Sequence, residues 1–173
     1  GLGLLETSSF HLTTKKEIRK TNHEAKNFIE VEDSKTEYNV LRQNLLNSLM
    51  KILSENSNAQ YPQKIFELGK AFSLNNKEET SIEETEKLAV AISGETNFTE
   101  IKQVLEYLMK ALALEKELKI EETEHPSFIP GRTGKIILKG REIGILGEIS
   151  PNVLKNWHIK MPTVALETEI EGL

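Results

Sequence analysis

The stretch from His125 to Asn156, HPSFIPGRTGKIILKGREIGILGEISPNVLKN, leaves the chain few choices of fold. GKIILK (134–139) and EIGILGE (142–148) are short apolar runs, and Gly140-Arg141 between them suits a two-residue Gly-X turn of type II′. Together they form a hairpin, entered through the loop SFIP, which Pro126 and Pro130 stiffen. Ser150 then offers a hydroxyl to free backbone N–H groups, and Pro151 occupies a first helical position where its missing N–H costs nothing. Val153, Leu154 and Trp157 give that helix one apolar face. A hairpin running straight into a capped amphipathic helix requires a sheet with a helix laid on it.

The rest of the chain extends the pattern. TSSFHLT (7–13) alternates polar and apolar positions and reads as a strand, residues 14–26 as an exposed connection or a frayed helical turn, and Ile29 and Val31 as a second half-buried strand. From Val40 to Leu53 the period becomes helical, with Leu41, Leu45, Leu46, Leu49, Ile52 and Leu53 on one face and Arg42 turned away. QKIFELGKAF (63–72) is expected to be a strand with a bulge at Gly69. Residues 75–87 contain one apolar residue, Ile82, and are expected to form an exposed mobile loop. LAVAIS (88–93) suits a central strand buried on both sides. Asn97 with Glu100 three residues on has capping-box spacing, ahead of a helix carrying Ile101, Val104, Leu105, Leu108, Met109 and Leu112. A weak strand at 117–123 and an alternating one at 164–170 complete about eight strands and three helices, with no internal repeat. The expected class is α+β: one domain over residues 1–173, with a mainly antiparallel sheet and its helices on one face.

Composition narrows the chemistry. With no cysteine, thiolate metal sites and cysteine nucleophiles are excluded, and a reducing cytoplasm suits the chain. No apolar run approaches the ~20 residues of a membrane span. The net charge is −5 and only Arg19, Arg42, Arg132 and Arg141 are arginines, so the domain is a poor grip for nucleic acid, although a local basic patch is compatible with an acidic chain. GRTGK (131–135) lacks the spacing and the following helix of a phosphate loop, and Gly140, Gly144 and Gly147 do not fit a dinucleotide fingerprint. His11, His23, His125 and His158 are too scattered to suggest a metal site. Glu121, Glu122 and Glu124 read as a solvated face. Glu67 and Glu148 sit inside apolar strands. Pleat geometry favours turning them outward, and the active alternative is a cleft carboxylate.

LRQNLLNSLMKIL (41–53), QKIFELGKAF (63–72), HPSFIPGRTGKI (125–136) and IGILGEISPNVL (143–154) occur in an order and spacing that resemble the C-terminal synthetase-like domains of phenylalanyl-tRNA synthetase β subunits, closest to the archaeal type. The signature positions are Arg42, Phe66, Glu67, Gly69, His125, Pro126, Pro130, Gly131, Arg132, Gly147, Glu148 and Pro151. The resemblance implies a class II aminoacyl-tRNA synthetase core and a non-catalytic copy of it, docked on an α subunit in an (αβ)₂ assembly. It implies no catalytic, cofactor or metal residues in this domain, with ATP and Mg²⁺ serving the whole enzyme. Class II chemistry requires cations at the ATP α-phosphate. The resemblance places one arginine on the loop between two long strands, taken here as the segment between Leu53 and Ile65, and another after a glycine-rich strand. Neither that segment nor Met161–Leu173 contains one, and Leu166, Glu167 and Thr168 stand where small residues are expected. Gly1–Glu6 resembles the end of the first class II motif, with its interface helix and the editing and tRNA-contacting modules upstream. The alternatives are an active ligase domain using Arg42 or Arg132 on ATP, and a stand-alone interaction module with the same fold.

Overall fold

The computed structural model describes residues 2–22, 27–75, 81–171 and 173. In chain order the elements are β1 (Leu5–Glu6), β2 (Leu12–Thr13), α1 (Lys15–Lys20), β3 (Val40–Leu41), α2 (Leu46–Glu55), β4 (Gln63–Leu74), β5 (Ile82–Ser93), α3 (Phe98–Ala111), β6 (Leu118–Glu122), β7 (Phe128–Leu138), β8 (Arg141–Ile149), α4 (Pro151–Asn156) and β9 (Thr163–Glu169). Seven strands form one sheet in the order β1-β4-β5-β9-β8-β7-β6. Every pairing is antiparallel except β1 with β4, which is parallel. β2 and β3 make a separate two-stranded ribbon.

The expected helices on one face lie on both. Along β5, Ala89 and Ala91 point to a core shared with Leu45, Leu49, Met50 and Leu53 of the α2 segment and with Val153 and Trp157 around α4. Val90 and Ile92 point the other way, to Ile101, Val104, Leu105 and Met109 of α3. The two-residue period of β5 therefore divides the core in two. Small alanines lie under α2, where the helix approaches closely. Larger side chains lie under α3.

Several local expectations change for identifiable reasons. TSSFHLT is not a strand over its length: Thr7 donates its N–H and hydroxyl to the Phe66 carbonyl, Ser9 turns to Glu67, and pairing is confined to Leu12–Thr13. The second short strand reduces to an isolated bridge, Glu30 to Val40. Val40–Leu41 leave the predicted helix to pair with β2, and the helix starts at Leu46. β4 runs through Gly69 in continuous register with β5, without a bulge. The pairing carries β5 back to Ile82, so residues 82–87 of the expected loop are strand; residues 76–80 lie outside the described residues. Residues 134–139 and 142–148 do form the expected hairpin, but β7 already begins at Phe128, so residues 128–133, expected as loop, are strand, with a register shift between Phe128 and Thr133. Its turn is Lys139-Gly140, since Leu138 pairs with Arg141. Both turn residues have positive φ (52° and 78°), which is type I′ rather than II′.

Candidate functional site

Arg42 follows β3 directly, and its backbone ties the N-terminal segment to β4, its N–H donating to the His11 carbonyl and its carbonyl accepting from the Phe72 N–H. Its Nη1 donates to Glu67 Oε1 at 2.6 Å and its Nε to the Lys70 carbonyl at 2.8 Å. The Arg42 and Glu67 side chains are 3% and 2% exposed. Ser9 completes the set, giving its N–H to Glu67 Oε1 at 3.2 Å and its hydroxyl to Oε2 at 2.8 Å. The guanidinium lies over Gly69, where a Cβ would stand 2.5 Å from Nη2. Arg42 and Glu67, expected to face outward, face inward. Pairing explains both, because each charge is tolerable in the core only beside the other.

Arg132 and Glu148 meet on the adjacent strands β7 and β8, with Nη1 to Oε2 at 2.7 Å. The other oxygen of Glu148 accepts the Phe98 N–H at 3.0 Å, at the first turn of α3. Asn97 caps the same helix by accepting from the Glu100 N–H at 3.3 Å. The expected capping box is thus half formed: the Glu100 carboxylate turns to Lys64 and to the Thr96 hydroxyl, at 2.8 and 2.7 Å. The Lys64 hydrogen bond holds the Glu100 carboxyl below its ordinary 4.5, outweighing the opposing effect of burial. Gly147 packs against the backbone of Arg132 and Thr133.

The remaining signature positions do not join these pairs. The Ser127 N–H donates to His125 Nδ1 at 3.1 Å, and the His125 ring stands edge-on to Phe128. The Pro126 carbonyl accepts from the Asn22 amide, and the Ser127 hydroxyl donates to the Thr21 carbonyl. Pro130 and Gly131 are exposed in β7, Phe66 is half-buried against the α3 core, and Pro151 opens α4 behind the Ser150 cap.

Glu167 on β9 stands where a small residue is expected, and the sequence alone gives it no role. Its Oε2 accepts the N–H groups of Leu45 and Leu46 at 2.7 and 3.0 Å, and its Oε1 accepts from Lys87 Nζ at 2.9 Å. It supplies the cap of α2, whose N-cap residue Leu45 has no side chain able to do so. Its signal in the sequence is a charged residue at an inward position of a buried strand.

A hollow of about 360 Å³ opens above β8 and β9, and its lining includes Glu142, Glu167 and Glu169 with Lys87 and His125. Lys87 is spent on Glu167, so the carboxylates set the character of the hollow, which suits phosphate poorly. A cavity of about 800 Å³ lies between residues 8–13 and α2, with Phe10, His11, Tyr38 and Lys51 among its lining. Burial lowers the Lys51 ammonium, but the Glu17 carboxylate and the Tyr38 hydroxyl outweigh it and leave it above the ordinary 10.5. Among the described residues no cluster of three His, Asp or Glu side chains could hold a metal ion.

The two long antiparallel strands that the resemblance calls for are β4 and β5, not the segment before β4. The corrected span, residues 63–93, also lacks arginine.

This is the core architecture of a class II aminoacyl-tRNA synthetase. Two solved structures of pyrrolysyl-tRNA synthetase from Desulfitobacterium hafniense superpose with TM-scores of 0.76 and 0.75, at 15% and 17% identity. They cover 96% of this chain and 60% and 61% of those chains. Residues 1–170 match the model of the phenylalanyl tRNA synthetase beta chain CLM domain, and the chain belongs to that family. It is 45% identical to the phenylalanine–tRNA ligase beta subunits of Pyrococcus abyssi and Pyrococcus horikoshii, over its full length and 31% of theirs. It is 38% identical to that of Methanocella arvoryzae, over its full length and 32% of the relative. The chain thus spans about a third of the length of the curated relatives it matches.

Proposed function

We propose that the domain is a non-catalytic synthetase-like module of a phenylalanine–tRNA ligase β subunit. It docks on the α subunit and holds the assembled active site in shape within an (αβ)₂ enzyme of the cytoplasm. ATP and Mg²⁺ act at the α subunit, where tRNA(Phe) is charged. The observation that carries this reading is the state of the cations. Activating an amino acid places negative charge on the ATP α-phosphate, which needs preorganised positive groups. β4, β5 and β9 contain no arginine. Arg42 is locked on Glu67 in the core, and Glu167 fills the sheet surface above β9. Arg132, with its side chain 60% exposed, is held by Glu148.

A groove of about 320 Å³ beside α3, with Leu2, Leu4, Phe66, Tyr107 and Leu108 in its apolar lining, supports the docking role. ATP–pyrophosphate exchange by this chain alone should stay at background, and calorimetry should give no heat for ATP. Exchange above background, or nucleotide binding abolished by Arg132→Ala, would overturn the reading in favour of an active ligase domain.

A further inference from the structure

The chain is acidic, and most strand cations are neutralised: Lys64, Lys70, Lys87, Arg132, Lys135 and Arg141 each hold a carboxylate. Among the described residues Lys35, Lys110, Lys116, Lys119 and Lys139 hold none, and a further set lies where two helices meet. The C-terminal end of α1 meets that of α4: Asn156 Nδ2 donates to the Lys20 carbonyl at 3.1 Å, and Lys20 Nζ sits 4.6 Å above the Trp157 ring. The two elements that meet there also carry Lys16 and Arg19 on α1, Lys155 on α4 and Lys160 in the segment after it. Lys16, Arg19, Lys155 and Lys160 are exposed, and among the described residues none of the five pairs with a carboxylate. Residues 150–162 contain no acidic residue, and the one glutamate in α1, Glu17, is taken by Lys51 and by the Thr13 hydroxyl.

Helix dipoles explain part of this, since Arg19, Lys20 and Lys155 lie in last turns, where a cation is favoured. They do not explain Lys16, in a first turn where the dipole opposes it, or Lys160, beyond the end of its helix. Lys16 and Lys20 are four residues apart on one helical face with Arg19 beside them, so like charges are gathered and left uncompensated. A polyanion relieves that repulsion.

We infer that the α1–α4 junction is a contact surface for the phosphate backbone of RNA, here tRNA. The assignment rests on the proposed function, which brings a polyphosphate substrate to the assembly. The contact is independent of sequence, because lysines at this spacing meet phosphates as point charges.

The test measures fluorescence-labelled tRNA binding to this chain by anisotropy across a salt series. Lys16→Glu/Arg19→Glu and Lys155→Glu/Lys160→Glu are compared with Lys110→Glu/Lys119→Glu, a pair with the same change of net charge placed elsewhere. Each junction pair should weaken binding about ten-fold or more at about 50 mM salt and flatten the plot of log affinity against log salt by about one unit for each phosphate no longer neutralised. The control pair should do markedly less, with circular dichroism reporting intact folding for all three. Equal effects from junction and control pairs, or no binding by the unaltered chain, would overturn the inference. So would anionic lipid vesicles binding as tightly as tRNA with the same dependence on the junction lysines. Failure here leaves the exchange experiment untouched, and exchange by the isolated chain would overturn the function alone.

Discussion

At Gly69 a methyl group would stand 2.5 Å from Arg42 Nη2, so Gly69→Ala must push the guanidinium off Glu67 or distort β4. Removing one member of the buried pair is worse than moving it, because the survivor remains charged in the core. Glu67→Ala should lower stability by about 3–5 kcal/mol, read from urea denaturation. Arg42→Lys keeps the charge but loses the fork that reaches Glu67 and the Lys70 carbonyl together, and it should not restore stability. Glu100 is a different case, at the surface. Lys64 depresses its folded pKa below the ordinary 4.5, so in that range the unfolded chain binds more protons. The stability it adds is therefore present above about pH 4.5 and is lost as the pH falls through the folded value. Thermal melts should show Glu100→Gln less stable than the parent at neutral pH, with the gap closing in acid.

Helix starts carry the second set of expectations, because two carboxylates distant in the chain finish what local sequence leaves undone. α2 has no capping side chain of its own and depends on Glu167, 122 residues from Leu45 in the chain. Glu167→Ala strands two N–H groups and the Lys87 ammonium, and should cost about 1–3 kcal/mol by denaturant titration. α3 is capped twice, by Asn97 and by Glu148. Asn97→Ala should cost about 0.5–2 kcal/mol, and the Asn97→Ala/Glu148→Ala pair should show coupling in a double-mutant cycle, because both groups serve one helix end.

For the molecule as a unit, the sheet separates two cores. The α2 and α4 side contains the buried ionic groups, Arg42 and Glu67 at its margin and Glu167 over β9. The α3 side is apolar and ends in the groove beside Leu2 and Tyr107. If that groove receives the α subunit, Tyr107→Glu should weaken co-purification of the two subunits while leaving the melting temperature of this chain within a few degrees. A melting temperature that falls with it would instead place Tyr107 in the fold rather than at a contact.

Much of the fold was legible because it depends on short-range pattern. Period and caps located α3, α4 and the β7–β8 hairpin, and the continuous apolar run of LAVAIS marked the central strand. The signature motifs identified the family and the missing arginines. What the sequence could not decide was set by partners distant in the chain. Strand periodicity distinguishes the two faces of a sheet without saying which is covered, and here helices cover both. Gly69 looks like a bulge until Arg42 lies on it, and Glu67 looks solvent-facing until that arginine neutralises it. Whether a charged side chain is buried depends on whether an opposite charge or a row of free N–H groups meets it there. Only the tertiary structure brings Arg42 to Glu67 and Leu45 to Glu167.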